Sequence, residues 1–215
     1  SEDVIAKNCY HDLRYPYWHV RRLVLDRCEL TENCRAALWY ADHVTATDCE
    51  MRGIKAFREC SDVGIARSHI VSPEFGWKCR GISLKDCRLT SEYAFLDSED
   101  VTLENVEFDG KYSFQYVRGM NISGCRLDTK DAFWHSVDVT VKDSVLRGEY
   151  LGWYSENLTL IRCKLVGTQP LCYCRGLRLI DCETEGCDLA FEYSDVEADI
   201  KGGIDSVKNV RSGYV

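Results

Sequence analysis

No run of about 18 uncharged apolar residues occurs anywhere in the chain, which excludes a membrane-spanning helix. Positive charge is not in excess either: 27 basic residues stand against 35 acidic ones, and the two signs alternate instead of clustering. A phosphate backbone needs a basic footprint, so nucleic acid is discounted as a partner. The opening residues Ser1-Glu2-Asp3 carry neither the basic nor the apolar region of a signal peptide. The expected setting is therefore cytoplasmic, with export left only to a chain whose leader has been removed. Helical periodicity, a glycine-rich phosphate loop and a nucleophile elbow are all missing. Cys172-Tyr173-Cys174 with Cys187 matches no zinc spacing, so neither a metal nor a cofactor is expected.

What the chain has instead is a repeat. An apolar residue opens the same short pattern at Val4, Leu23, Val44, Val63, Ile82, Val101, Met120, Val139, Leu158 and Leu177, with a weaker copy at Val196. Every step is 19 residues except one of 21. A period of this length belongs to a solenoid, in which no unit buries its apolar face without neighbours above and below. The repeat fills the 215 residues, so a single domain is expected over 1–215, beginning partway through a coil and possessing no evident N-terminal cap.

Counting the opener as position 0, positions 0 and 2 are apolar, as in Ile82 and Leu84, which is the alternation of a strand. Apolar residues resume at positions 5 and 7. Position 5 holds Cys9, Cys28, Cys49, Cys87, Cys125, Cys163 and Cys182, replaced elsewhere by Ser68, Val106 and Ser144. A column accepting Cys, Ser or Val is a column of small buried residues. Neighbouring coils about 4.8 Å apart sit beyond the usual Cβ separation of a disulfide, so free thiols in a reducing compartment are expected. Turn formers such as Asp109-Gly110 and Arg147-Gly148 follow, and then a longer third strand at positions 11 to 16. Three short faces per coil, without helices, specify an all-β, right-handed parallel β-helix of about 11 coils of 19 residues.

Position 15 carries Tyr40, Glu59, Lys78, Asp97, Tyr116, His135 and Tyr154 and must face solvent, because burying unpaired charges costs several kcal/mol each. Strict alternation then turns positions 12, 14 and 16 inward, which places Trp18, Trp39, Trp77, Trp134 and Trp153 inside at position 14, awkwardly beside Arg58 and Gln115. The same rule turns positions 11, 13 and 15 outward. The resulting strip of Phe57, Phe95, Tyr112, Phe114, Tyr116, Asp131, Phe133 and Tyr154, with Gly76 and Gly152 as floors beneath a ligand, reads as a binding surface. Glu59 and Asp97, two coils apart with Lys78 between them, and His135 beside Asp131 are the candidate acid/base groups. Three readings stand side by side. The first is a binding solenoid engaging a saccharide or a protein partner. The second is a carbohydrate-active lyase or glycosidase. The third is a homo-oligomer that buries the strip against itself, the charges then being a surface ladder.

The segments CRAALWY at 34–40, SPEFGW at 72–77, GKYSFQY at 110–116, DTKDAFWH at 128–135 and GTQPLCYC at 167–174 resemble a bacterial family of right-handed parallel β-helix proteins classed as a domain of unknown function. The resemblance covers most of the chain. It implies the fold, an intracellular setting and one or two further N-terminal coils in relatives; it supplies no catalytic residues.

Overall fold

A strand whose apolar residues alternate with polar ones must lay its apolar side on something. In the computed structural model, which describes residues 1–215, it lies on the next turn of the same chain. The chain forms 24 short strands and no helix, wound as a right-handed parallel β-helix of about 11 turns. Strand Glu99–Glu104 pairs in parallel with Arg80–Lys85 on one side and Arg118–Ser123 on the other, setting Val101 opposite Ile82 and Met120. That register, nineteen residues per rung, runs through the first two faces as the sequence predicts. Leu84, Leu103, Ile122 and Val141 are buried in the lumen, with polar residues outside.

The cysteine column is interior, and all thirteen thiols are free. Its tolerance of serine has a local cause. The thiols of Cys49 and Cys87 donate to the carbonyl two residues back, at 3.2 Å, and the hydroxyls of Ser68 and Ser144 donate to the equivalent carbonyl at 2.9 and 2.6 Å. Cys and Ser are two small donors for one acceptor at a corner. Burial pushes the thiols of Cys163 and Cys174 up to about 11, so they stay protonated and unreactive near neutrality.

The third side departs from the expected strand. Only Tyr17–Trp18, Leu38–Trp39 and Phe57–Arg58 pair there as a three-stranded sheet; further along, positions 11 to 16 are turns. Positions 11, 13 and 15 repeatedly adopt left-handed backbone, for example Tyr112, Phe114 and Tyr116 at φ of 53°, 61° and 59°. Each left-handed residue breaks the two-residue alternation, so positions 12 and 13 both enter the lumen. Phe57, Phe95, Phe114 and Phe133, expected outside, are fully buried. A left-handed L-residue costs about 1–2 kcal/mol, and burying a phenyl returns about 1.5–3 kcal/mol, which offsets the strain at position 13 itself. The phenyls form an internal stack, with Phe95–Phe114 and Phe114–Phe133 centroids 5.9 and 4.9 Å apart. Gly76 and Gly152 are likewise internal. A Cβ on either would meet Phe95 at 2.8 Å or Leu171 at 2.6 Å, so their missing side chains make room for core atoms and form no ligand floor.

The tryptophans are displaced the other way. Trp39, Trp77, Trp134 and Trp153 are half-buried at the outer surface and Trp18 is exposed. Three consecutive coils carry a donor in this column that reaches forward to a carbonyl sixteen residues on. Trp134 Nε1 donates to Tyr150 O at 2.8 Å, Trp153 Nε1 to Gln169 O at 2.8 Å, and Gln115 Nε2 to Asp131 O at 3.3 Å. Gln115 shares the column because it supplies the same N–H. Arg58 is held between the rings of Trp39 and Trp77, its guanidinium carbon 5.2 and 5.3 Å from their centroids.

Candidate functional site

Position 15 faces outward as its polarity demands, and it gathers most of the candidate residues into one line. Backbone bonds Glu59 N to Trp77 O, Lys78 N to Leu96 O, Asp97 N to Gln115 O and Tyr116 N to Trp134 O repeat one geometry at 2.8 to 3.0 Å. Glu59, Lys78, Asp97, Tyr116, His135 and Tyr154 are therefore successive rungs. The charged rungs do not form a ladder of ion pairs. Glu59 turns to Arg58 and to Trp39 Nε1, both at 3.4 Å, and Lys78 bridges neither Glu59 nor Asp97. None of these three lines one of the larger grooves.

Below Asp97 the column becomes continuously aromatic. Tyr116, His135, Tyr154, Tyr173 and Tyr193 stack in series, with centroid separations of 5.1, 5.0, 4.8 and 5.5 Å and interplanar angles of 6°, 7°, 13° and 20°. Two rings lying coplanar on the surface need about 6 Å between centroids to keep their carbons at van der Waals contact. At these separations the rings overlap face on face, and each interior ring has both faces covered. Only edges reach solvent: a row of four phenol hydroxyls and one imidazole, repeating at the coil spacing. Stacking of sugar faces on these rings is thus closed to the interior rungs.

A groove of about 450 Å³ runs along the lower part of this row, lined by His135, Tyr154, Tyr173, Tyr193, Glu156, Arg175 and Arg211. Trp153 borders the ladder, 5.5 Å from Tyr173. Of the groove residues, sequence reasoning singled out His135 and Tyr154. Tyr193 was hidden by one extra residue near Cys187, which shifts the register from nineteen to twenty, as the bond from Tyr173 N to Glu192 O shows. Arg175 and Glu156 lie two residues beyond position 15, where polarity alone looks like ordinary solvated surface. Arg211 returns from the irregular C-terminal segment and carries no repeat signal.

The remaining candidates lie at position 11. Tyr112 stacks on Tyr93 at 5.4 Å, with the Lys111 ammonium 4.6 Å from its centroid. Asp131, expected to be exposed, is 7% exposed between the Tyr112 and Tyr150 rungs, and burial raises its pKa against the pull of Lys130 and Lys111. A carboxyl whose folded pKa is raised contributes its stability below the unfolded value and loses it as pH climbs through the folded one. Asp131→Asn is therefore expected to flatten the pH dependence of unfolding across the carboxylate range and to raise stability at neutral pH, as denaturant titrations at several pH values will register. No three His, Cys, Asp or Glu side chains come together as a metal site.

A family model described as "Protein of unknown function (DUF3737)" matches residues 1–215. The chain belongs to this family. No curated protein matches it in sequence. Among solved structures, the chain is similar to an exopolygalacturonase from Thermotoga maritima at 12% identity and TM-score 0.41, covering 86% of this chain and 55% of that one. It is similar to the tailspike protein of E. coli bacteriophage HK620, in complex with a hexasaccharide, at 10% identity and TM-score 0.42, covering 91% and 48%. The pentapeptide repeat protein HetL from the cyanobacterium Nostoc gives 9% identity and TM-score 0.36, covering 88% and 83%.

Proposed function

We propose that the chain is a non-catalytic binding solenoid that holds an extended saccharide edge-on along Tyr116, His135, Tyr154, Tyr173 and Tyr193. The observation that carries this reading is the stack itself: it spends the ring faces on one another and presents hydrogen-bonding edges at the coil repeat. Such a row is rigid before binding, so little conformational entropy is lost when a hydroxyl-rich chain lies along it. Binding is favoured over hydrolysis because Glu156 is the sole carboxylate lining the groove, whereas glycoside cleavage ordinarily uses two.

The test is a glycan array followed by titration, with Trp153 fluorescence as the reporter. Replacing Tyr154 and Tyr173 by Phe keeps the stack and removes two hydroxyls. At about 0.5–1.5 kcal/mol per lost hydrogen bond, the double variant is expected to bind about tenfold more weakly without a change in melting temperature. Unaltered affinity would place the ligand elsewhere, and recovery of a stoichiometric protein complex or a dimer in place of a saccharide would assign the face to that partner.

A further inference from the structure

The groove carries two guanidiniums, and one of them has no hydrogen-bonded partner. Arg175 is largely exposed, donates no side-chain hydrogen bond within the chain, and meets a single carboxylate, Glu156, at 3.8 Å, beyond hydrogen-bond distance. Its planar fork of N–H donors is therefore unspent. Arg211 is positioned differently. Its Nη2 donates to Tyr193 O at 2.7 Å and Cys174 O at 3.4 Å, while Nε lies 3.1 Å from Asp195. These contacts hold the guanidinium beside the tyrosine row and leave Nη1 without a bond in the chain. His135 lines the same groove, and the carboxylates that face its two guanidiniums are Glu156 and, on Arg211 Nε, Asp195.

Resting on the edge-on saccharide reading, we infer that the ligand is an acidic saccharide, its carboxylates meeting Arg175 and Arg211 while its hydroxyls meet the tyrosine edges. A neutral sugar's hydroxyl accepts a single bond from a guanidinium, whereas a carboxylate matches its fork in two parallel, charge-assisted bonds. Arg175 flanks the tyrosine row one rung after Glu156, and Arg211 reaches back to it from two coils further on, with Asp195 on the rung between, so the two guanidiniums stand at separate heights along the rod. A linear polymer lying parallel to the rod meets the tyrosine edges at each step and reaches both guanidiniums, whereas one lying across it reaches only one of them. Uronic-acid residues in linear linkage therefore satisfy the site better than an acidic group at a chain end. Glu156 serves as the resting counter-ion of Arg175 and is displaced when the ligand arrives.

The experiment titrates the intact chain with (1→4)-linked oligouronates and with their carboxyl-reduced, neutral counterparts. Chains of about four to six residues span the groove at one residue per coil step of about 4.8 Å. The acidic oligomers are expected to bind about tenfold tighter, with a preference that shrinks as salt is added. Arg175→Gln is expected to cut that preference to about threefold, the remainder resting on Arg211, while holding the affinity for the neutral oligomer within about twofold, since an exposed arginine contributes little to the fold. Glu156→Gln is expected to strengthen acidic binding several-fold by freeing Arg175. Equal affinity for both forms overturns the acidic inference and leaves the edge-on reading standing. Binding of neither form overturns both. An undiminished preference in a folded Arg175→Gln chain moves charge recognition elsewhere and also overturns it.

Discussion

Phe114→Ala is expected to lower the free energy of unfolding by about 3–5 kcal/mol, the cost of removing a fully buried phenyl and leaving a cavity. Phe114 contacts Phe95, Phe108 and Phe133 ring to ring, and no solvent reaches it to fill the void. Tyr116→Ala, two residues along and 51% exposed, is expected to cost about 1 kcal/mol or less, because it loses stacking on one neighbour and little burial. Denaturant titration of both variants decides between the two registers of the third side. Were that side an extended strand with position 13 outward, the order of the two losses would not follow this pattern, and a small loss at Phe114 would show that the phenyl stack is not core. Because the coils form a one-dimensional array, the Phe114 lesion is also expected to broaden the transition, the upper and lower halves losing part of their coupling.

The second large effect belongs to the corner that precedes the third side. Gly167 adopts φ +130°, and a Cβ there would lie 2.0 Å from the carbonyl oxygen of Gly148 in the coil above. Gly148 repeats the arrangement against Thr129, at 1.9 Å. The obstructing atoms are backbone, held by the ladder, and cannot swing aside as a side chain would. Gly167→Ala is expected to cost about 3 kcal/mol or more, combining left-handed strain with displacement of a stacked turn. Gly186→Ala provides the control. Its φ is +64° and no atom lies within 4 Å of the added methyl, so only the conformational cost of about 1 kcal/mol is expected. Comparable losses at both glycines, read as shifts in unfolding midpoint, would mean that the coils do not approach each other so closely at this corner.

The outcome at the phenylalanines shows why one half of the third side was misread. Assigning positions 12, 14 and 16 to the lumen assumes that each residue is extended; left-handed residues, one or two per coil at first and three per coil from Tyr112 on, remove that assumption. A usable signal was nevertheless present. Positions 12 and 13 pair a small residue with a large one throughout: Ala56-Phe57, Phe75-Gly76, Ala94-Phe95, Ala132-Phe133 and Leu151-Gly152. Such compensation between sequence neighbours is intelligible only if both side chains share one enclosed space of fixed volume. The same correction resolves Arg58 and Gln115, which sit at the surface with the tryptophans and need no buried partner.

The stacking register, the thiol column and the solvent-facing position 15 were all determined by residue order alone. Each follows from burial repeating every nineteen residues, and that period is a property of the chain itself. Which ring faces remain free, which guanidinium lacks a partner, and where Tyr193 and Arg211 meet the tyrosine row were decided only by the tertiary structure. Those facts depend on left-handed corners, on one extra residue near Cys187 and on a returning C-terminal segment. Each is a departure from the repeat, and a periodic pattern carries no record of where its own exceptions come to rest in space.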